Sequence, residues 1–252
     1  MSFSVGADSY DRFMGRYSIP LAPIFADFAT ITRGERVLDV GCGPGALTAE
    51  LVDRLGADAV SAVDPSESFV LAARQRNPSV TVQLASAERL PFDDHSFGAA
   101  MAQLVVHFMT DPVAGLREMK RVTRPAGVVA ACVWDHGGGK GPLSVFWRAA
   151  HQLDSGVVDE SALAGSRDGH LAELFADAGL RDIEQSAITV DVEHATFEDW
   201  WEPFTLGVGP AGQYLAGVDA TARDRLRELC RGLQPAAPFV VSAQAWAARG
   251  HT

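Results

Sequence analysis

The chain has 252 residues, 47% of them apolar and 21% charged, and its 21 Lys and Arg stand against 32 Asp and Glu for a formal net charge of −11. A chain of this size can bury a core of its own, and the composition excludes disorder, collagen-like repeats and coiled coil. The acid excess, unbroken by any run of basic residues, argues against a nucleic-acid partner, because phosphate contacts draw on Lys and Arg.

Residues 1–20 scatter Asp8, Asp11, Arg12 and Arg16 with no apolar stretch between them, so no secretory signal is expected. No apolar run is long enough to insert in a membrane. Cys42, Cys132 and Cys230 are far apart and form neither a CxxC pair nor a disulfide framework, which fits reduced thiols in a cytoplasmic protein. From 36 to 134 short β-branched runs alternate with amphipathic stretches, the pattern of βαβ units around a parallel sheet. Strands are expected over Arg36–Val40, Ala59–Val63, Val80–Leu84, Gly98–Gln103 and Gly127–Trp134. The stripe Leu47, Leu51, Val52, Leu55 and the stripe Val113, Leu116, Met119, Val122 mark two helices that pack on that sheet.

Beyond Trp134 the rhythm changes. Gly137, Gly138, Gly139, Gly141 and Pro142 read as a mobile loop, a hinge or lid, before a helix starting near Leu143. A helix over Gly169–Ala178 with Gly179 at its end, a strand over Ile183–Val192 and a last strand over Phe239–Ala248 follow. Residues 193–238 look helical and aromatic. The whole reads as one domain: an N-terminal lid or helix over 1–32, a ligand-binding core over 33–134, and a helical cap built from 135–168 and 193–238.

The strongest local pattern is Val37-Leu38-Asp39-Val40-Gly41-Cys42-Gly43-Pro44-Gly45-Ala46, a buried strand entering a glycine turn and then a helix. Such a turn lets a ligand lie against its backbone, and the helix beyond presents free N–H groups. Asp64 ends the next strand 19 residues after Gly45, the offset at which a carboxylate accepts hydrogen bonds from ribose hydroxyls. Asp39, two residues before the first glycine, would repel a pyrophosphate and would hold a ligand with a cationic amine.

DVGCGPG resembles motif I of the class I S-adenosylmethionine-dependent methyltransferases, and Leu90-Pro91-Phe92-Asp93-Asp94-His95-Ser96-Phe97 is similar to their segment before the fourth strand. Leu116 to Gly127 is similar to a further helix and turn of the same superfamily, in its ubiquinone/menaquinone-methyltransferase-like branch. The resemblance implies an α/β, Rossmann-like fold: a seven-stranded mostly parallel sheet with the last strand antiparallel and a helical cap inserted late in the chain. It implies S-adenosylmethionine as cofactor. Gly41, Cys42, Gly43 and Gly45 would lie along the methionine part, Asp64 on the ribose, and Pro65, Ser66, Ala87 and Glu88 around the adenine. The family commonly has an acidic residue where Ser86 stands. Gln103 would face the methionine or the acceptor, and Tyr10, Arg16 and Tyr17 would close over the site, Arg16 offering a cation to the cofactor carboxylate.

Methyl transfer is an in-line displacement that needs alignment, exclusion of water and sometimes a base. His107 follows the fourth strand, and Asp135 and His136 follow the fifth, at the sheet edge where α/β folds bind ligands, so these three are the catalytic candidates. No HxH or HExxH spacing suggests a metal. Phe197, Trp200, Trp201, Phe204 and Tyr214 read first as the cap's core; with Phe146 and Trp147 they could also wall a planar or apolar small-molecule acceptor. A non-catalytic module binding the same cofactor is the rival reading. A nicotinamide-dependent reductase fits less well, since Ala46 stands at the third glycine position, and a nucleic-acid methyltransferase less well again, since Ala102-Gln103-Leu104-Val105 replaces an Asn/Asp-Pro-Pro-Tyr segment.

Overall fold

The computed structural model describes residues 6–252. Its N-terminal helix is built in three pieces: α1 (Ala7–Tyr10), a π-helical turn over Asp11–Gly15, and α2 (Arg16–Phe28). Then come β1 (Val37–Val40), α3 (Ala46–Leu55), β2 (Val60–Asp64), α4 (Glu67–Arg76), β3 (Thr81–Leu84), β4 (Phe97–Gln103), α5 (Pro112–Val122) and β5 (Thr123–Trp134). The later half holds α6 (Ser144–Leu153), α7 (His170–Asp177), β6 (Arg181–His194), α8 (Phe197–Trp201), α9 (Gly209–Gly217), α10 (Ala220–Leu233) and β7 (Phe239–His251).

The seven strands form one sheet in the order β3-β2-β1-β4-β5-β7-β6. Neighbours from β3 to β5 pair in parallel, and β7 runs antiparallel to both β5 and β6. Every residue of β1 and β2 is buried, because helices cover both faces and such strands need not alternate. One face is covered by α2 and α3 through Leu21, Phe25, Leu47 and Leu51, and the other by α5 and α7 through Leu116, Met119, Leu171 and Phe175. The strand order changes direction between β1 and β4, so their carboxyl ends diverge and leave a crevice there.

The cap has its own core. Phe146 stacks on Phe204 with ring centres 4.6 Å apart, and Trp200, Trp201 and Phe197 close around them. These are the aromatics singled out in the sequence, and they are spent on the cap's interior, each fully buried ring contributing about 1.5–3 kcal/mol. Phe13 belongs to the same cluster and stacks edge-on to Phe204, so the N-terminal helix ties the cap to the sheet. No helix of the described residues is long and apolar enough to cross a membrane.

The loop after β5, expected as a hinge or lid, is fastened by several hydrogen bonds in this conformation. Asp135 Oδ1 accepts from Gly138 N at 2.7 Å, its carbonyl accepts from Lys140 N and Gly141 N, Gly137 N donates to Ser166 O, and Lys140 O accepts from Gln244 N. Gly138 serves close packing, since a Cβ there would meet the Asp135 carboxylate at 2.5 Å, whereas Gly139 takes a φ of +67° with open space beside it.

Candidate active site

The crevice is a cavity of about 720 Å3 at the carboxyl ends of β1, β2 and β4. Its floor is the glycine turn. Gly43 and Gly45 have φ of +54° and +100°, a left-handed backbone that a side chain would strain, and a Cβ at Gly43 would stand in open space.

Two buried carboxyl groups face it. Asp64 accepts Gly43 N–H at Oδ2 and Ser66 N–H at Oδ1, both at 2.8 Å, and so stitches the glycine turn to the start of α4. Burial pushes its pKa up to about 6 against those two hydrogen bonds. Asp39 is 1% exposed; Thr48 donates to its Oδ2 at 2.6 Å, and its Oδ1 has no partner. Burial pushes Asp39 up to about 7. A buried oxygen without a donor costs free energy, and a ligand that brings an N–H or a positive charge would relieve it.

The remaining walls come from several elements. Gly41, Cys42, Pro65, Ser66, Ser86, Ala87, Glu88, Gln103 and Tyr10 all line the cavity. Glu88 also fastens its far side by accepting from Thr110 N at 2.8 Å. Gln103 donates to Ser18 O at 2.9 Å and leaves its buried Oε1 unpartnered. Tyr10 meets Phe69 edge-on at 5.3 Å, and Asp11 beside it pairs with Arg76 of α4, so α1 is clasped over the mouth. Burial together with the Asp64 and Asp11 charges keeps the Tyr10 phenol protonated.

Three expected site residues lie elsewhere. Arg16 does not reach the cavity: it pairs with Asp199 Oδ1 at 3.0 Å and with His194 Nδ1 at 2.9 Å. Tyr17 turns the same way, its hydroxyl 3.0 Å from His194 Nε2, under a wall of Trp134. Arg16 thus ties α2 to β6 and α8, and Tyr17 ties it to β6. Asp135 is 1% exposed and spends both oxygens on Gly138 N and Gln244 Nε2, so it is a staple of its own loop. His107 and His136 line a second, small cavity next to the first rather than the first itself.

Other site residues carry no sequence pattern. Leu104, at φ +62°, is one of few non-glycine residues in the left-handed region, and its amide is held there by Cys132 O at 2.9 Å. Strain of this kind collects at functional sites. Val105, Phe108 and Met109 complete that wall with Leu104, and Glu160 enters the small cavity from the loop after α6. Among the described residues no group of three or more His, Cys, Asp or Glu is placed to hold a metal ion.

Residues 38–131 match the family described as a methyltransferase domain. An uncharacterized methyltransferase of Mycobacterium bovis is 37% identical over 135 residues, 54% of this chain and 52% of its own length. A demethylmenaquinone methyltransferase of Beutenbergia cavernae is 44% identical over 94 residues, 37% of this chain and 38% of its own. The chain thus spans about half the length, or less, of these curated relatives. A phosphoethanolamine N-methyltransferase of Haemonchus contortus, solved with phosphomonomethylethanolamine and S-adenosylhomocysteine, superimposes with a TM-score of 0.56 at 19% identity, covering 97% of this chain and 59% of that one. At that identity the likeness speaks for the fold.

Proposed function

We propose that the chain, which matches a methyltransferase domain over residues 38–131 and is similar to demethylmenaquinone methyltransferase over 94 residues, is a class I S-adenosylmethionine-dependent methyltransferase that moves a methyl group from S-adenosylmethionine to a small-molecule acceptor. The carrying observation is the pair of buried carboxyl groups, Asp39 and Asp64, on adjacent strands at one 720 Å3 cavity, with Asp39 Oδ1 lacking a donor. S-adenosylmethionine supplies a methyl group already activated by a positively charged sulfur, along with a cationic amine and two ribose hydroxyls.

The residues present fit that molecule. Asp64 accepts from the ribose hydroxyls with the lone pairs that Gly43 N and Ser66 N leave free. Asp39 faces the amine, directly or through the turn's amides, and the glycine turn leaves space for the methionine part. Pro65, Ser66, Ser86, Ala87 and Glu88 line the part of the cavity that would hold the adenine. Tyr10 and Phe69 pack edge-on at the cavity wall and would limit water there once the ligand is bound. Gln103, which lines the cavity, would stand on the methionine or acceptor side. The acceptor is a small molecule with a largely apolar body, because the walls beyond Gln103 are Leu104, Val105, Phe108 and Met109.

The test is incubation of the protein with methyl-labelled S-adenosylmethionine and fractionated small-molecule extracts, with products identified by mass spectrometry. A labelled small molecule that forms only with active protein is the expected result. S-adenosylhomocysteine binding without any labelled product from any fraction would favour a module that binds the cofactor without turnover.

A further inference from the structure

Beside the large cavity lies a second one of about 30 Å3, room for one polar group of a ligand but not for its body. The two share Tyr10, Leu104 and Phe108 as walls. Phe13, Trp134 and Leu143 make most of the small cavity apolar, and His107, His136 and Glu160 interrupt it.

The side chains of His136 and Glu160 are each 4% exposed. Trp147 donates its indole N–H to Glu160 Oε2 at 2.9 Å, which fixes the carboxyl group and leaves Oε1 3.9 Å from His136 Nε2. That separation is too long for a hydrogen bond. His136 Nε2 has no hydrogen-bond partner, and neither has Nδ1 of His107, whose ring centre lies 6.0 Å from that of His136. Buried polar atoms are rarely left so without a reason. An oxygen set about 2.8 Å from each of Glu160 Oε1 and His136 Nε2 would bridge the gap and satisfy both.

We propose that His136 and Glu160 form the site for a hydroxyl group on the methyl acceptor, the hydroxyl donating to Glu160 Oε1 and accepting from His136 Nε2–H. A hydroxyl is the group that both gives and takes a hydrogen bond at one small atom. A carboxylate has no hydrogen to give Glu160 Oε1 and would be repelled once Glu160 is ionised, and an ammonium group has nothing to accept the imidazole's hydrogen. Burial pushes Glu160 up to about 7 and His136 down to about 4, and holds His107 well below its usual range, so near neutrality the imidazoles are uncharged and Glu160 is poised to accept a proton. Asp159 is the further charge acting on both members of the pair. The hydroxyl sits between Glu160 and His136, and the apolar body reaches back past Leu104 and Phe108, the walls that the two cavities share. Calling the ligand a methyl acceptor rests on the methyltransferase reading; the head-group site itself does not.

Phenol, toluene and benzoate differ mainly in the group offered to the pair. Binding of each to protein saturated with S-adenosylhomocysteine, followed by ligand-observed NMR, should favour phenol by at least about tenfold over the other two, the worth of two hydrogen bonds with one to a charged group. His136→Phe and, separately, Glu160→Leu should each cut that preference to about twofold or less, with S-adenosylhomocysteine affinity retained. Equal binding of phenol and toluene to the unmodified protein, undetectable binding of phenol, or a preference that survives both substitutions would overturn the site. Failure of S-adenosylhomocysteine to bind the unmodified protein would instead overturn the methyltransferase reading, and the same samples report it separately.

Discussion

Asp64→Ala is the substitution whose consequences the structure states most fully. The alanine removes the acceptor of Gly43 N–H and Ser66 N–H, and with it the proposed partner of the ribose hydroxyls. Hydrogen bonds to a charged group are worth about 1.5–3 kcal/mol each. Burial, partly offset by those two backbone contacts, lifts the carboxyl from 3.8 to about 6, so keeping it ionised near neutrality costs about 3 kcal/mol even with both contacts made, and the alanine is relieved of that cost. The fold should therefore survive with a small change in melting temperature. Binding should not: the dissociation constant for S-adenosylhomocysteine should rise at least about tenfold, or about 1.4 kcal/mol. The pH dependence has a definite sign. A raised folded pKa means that the folded free protein holds a proton the unfolded chain gives up, so Asp64's contribution to stability is present below 3.8 and is lost as pH rises through about 6. Ligand binding uses the ionised form, so affinity should climb as pH rises through about 6. Asp39, pushed up to about 7, adds a second rise, and the variant should keep only that one. Calorimetry at several pH values, with circular dichroism to check the fold, measures all of this. Unchanged affinity in a folded variant, or an identical pH profile, would refute the assignment.

Further expectations concern the frame of the site. Gly43→Val should abolish S-adenosylhomocysteine binding measured by calorimetry, because it places a branched side chain at φ +54° in the open space of the cavity wall. Tyr17→Phe leaves His194 Nε2 buried without its 3.0 Å partner and should cost about 1–3 kcal/mol in denaturant unfolding with little effect on cofactor affinity. Phe146→Ala empties the centre of the cap and should cost about 3–5 kcal/mol by the same measurement. Hydrogen exchange over residues 10–17 should slow when S-adenosylhomocysteine binds, since Tyr10 lines the cavity; equal exchange with and without it would remove this segment from the site.

The glycine turn, Asp39 and Asp64 were legible because one strand, one turn and one βα unit set their places, so spacing along the chain is nearly spacing in the fold. The seven strands were legible for a similar reason, though Thr123–Trp134 starts four residues before the expected Gly127 and the last strand runs on to His251. Arg16 and Tyr17 were misplaced by a local irregularity. The π-helical turn over Asp11–Gly15 is wider than an α-turn, so the face that begins at Tyr10 continues at Ser18, and Tyr17 is carried round to His194. Asp135 looked catalytic from its place after β5, yet the glycines beside it bring Gly138 N within reach of its carboxylate. Glu160 and Leu104 offered no pattern at all. One sits in an irregular loop and is defined by Trp147 and His136 across the fold; the other is marked by a backbone angle that no residue type announces.

The central claim is cofactor identity, and calorimetric titration of the protein with S-adenosylhomocysteine, set against NADH, tests it most directly. The buried pair Asp39 and Asp64 at one cavity predicts one-to-one binding of S-adenosylhomocysteine in the micromolar range, about −7 to −9 kcal/mol, and none of NADH. Saturable binding of NADH with no response to S-adenosylhomocysteine would contradict it.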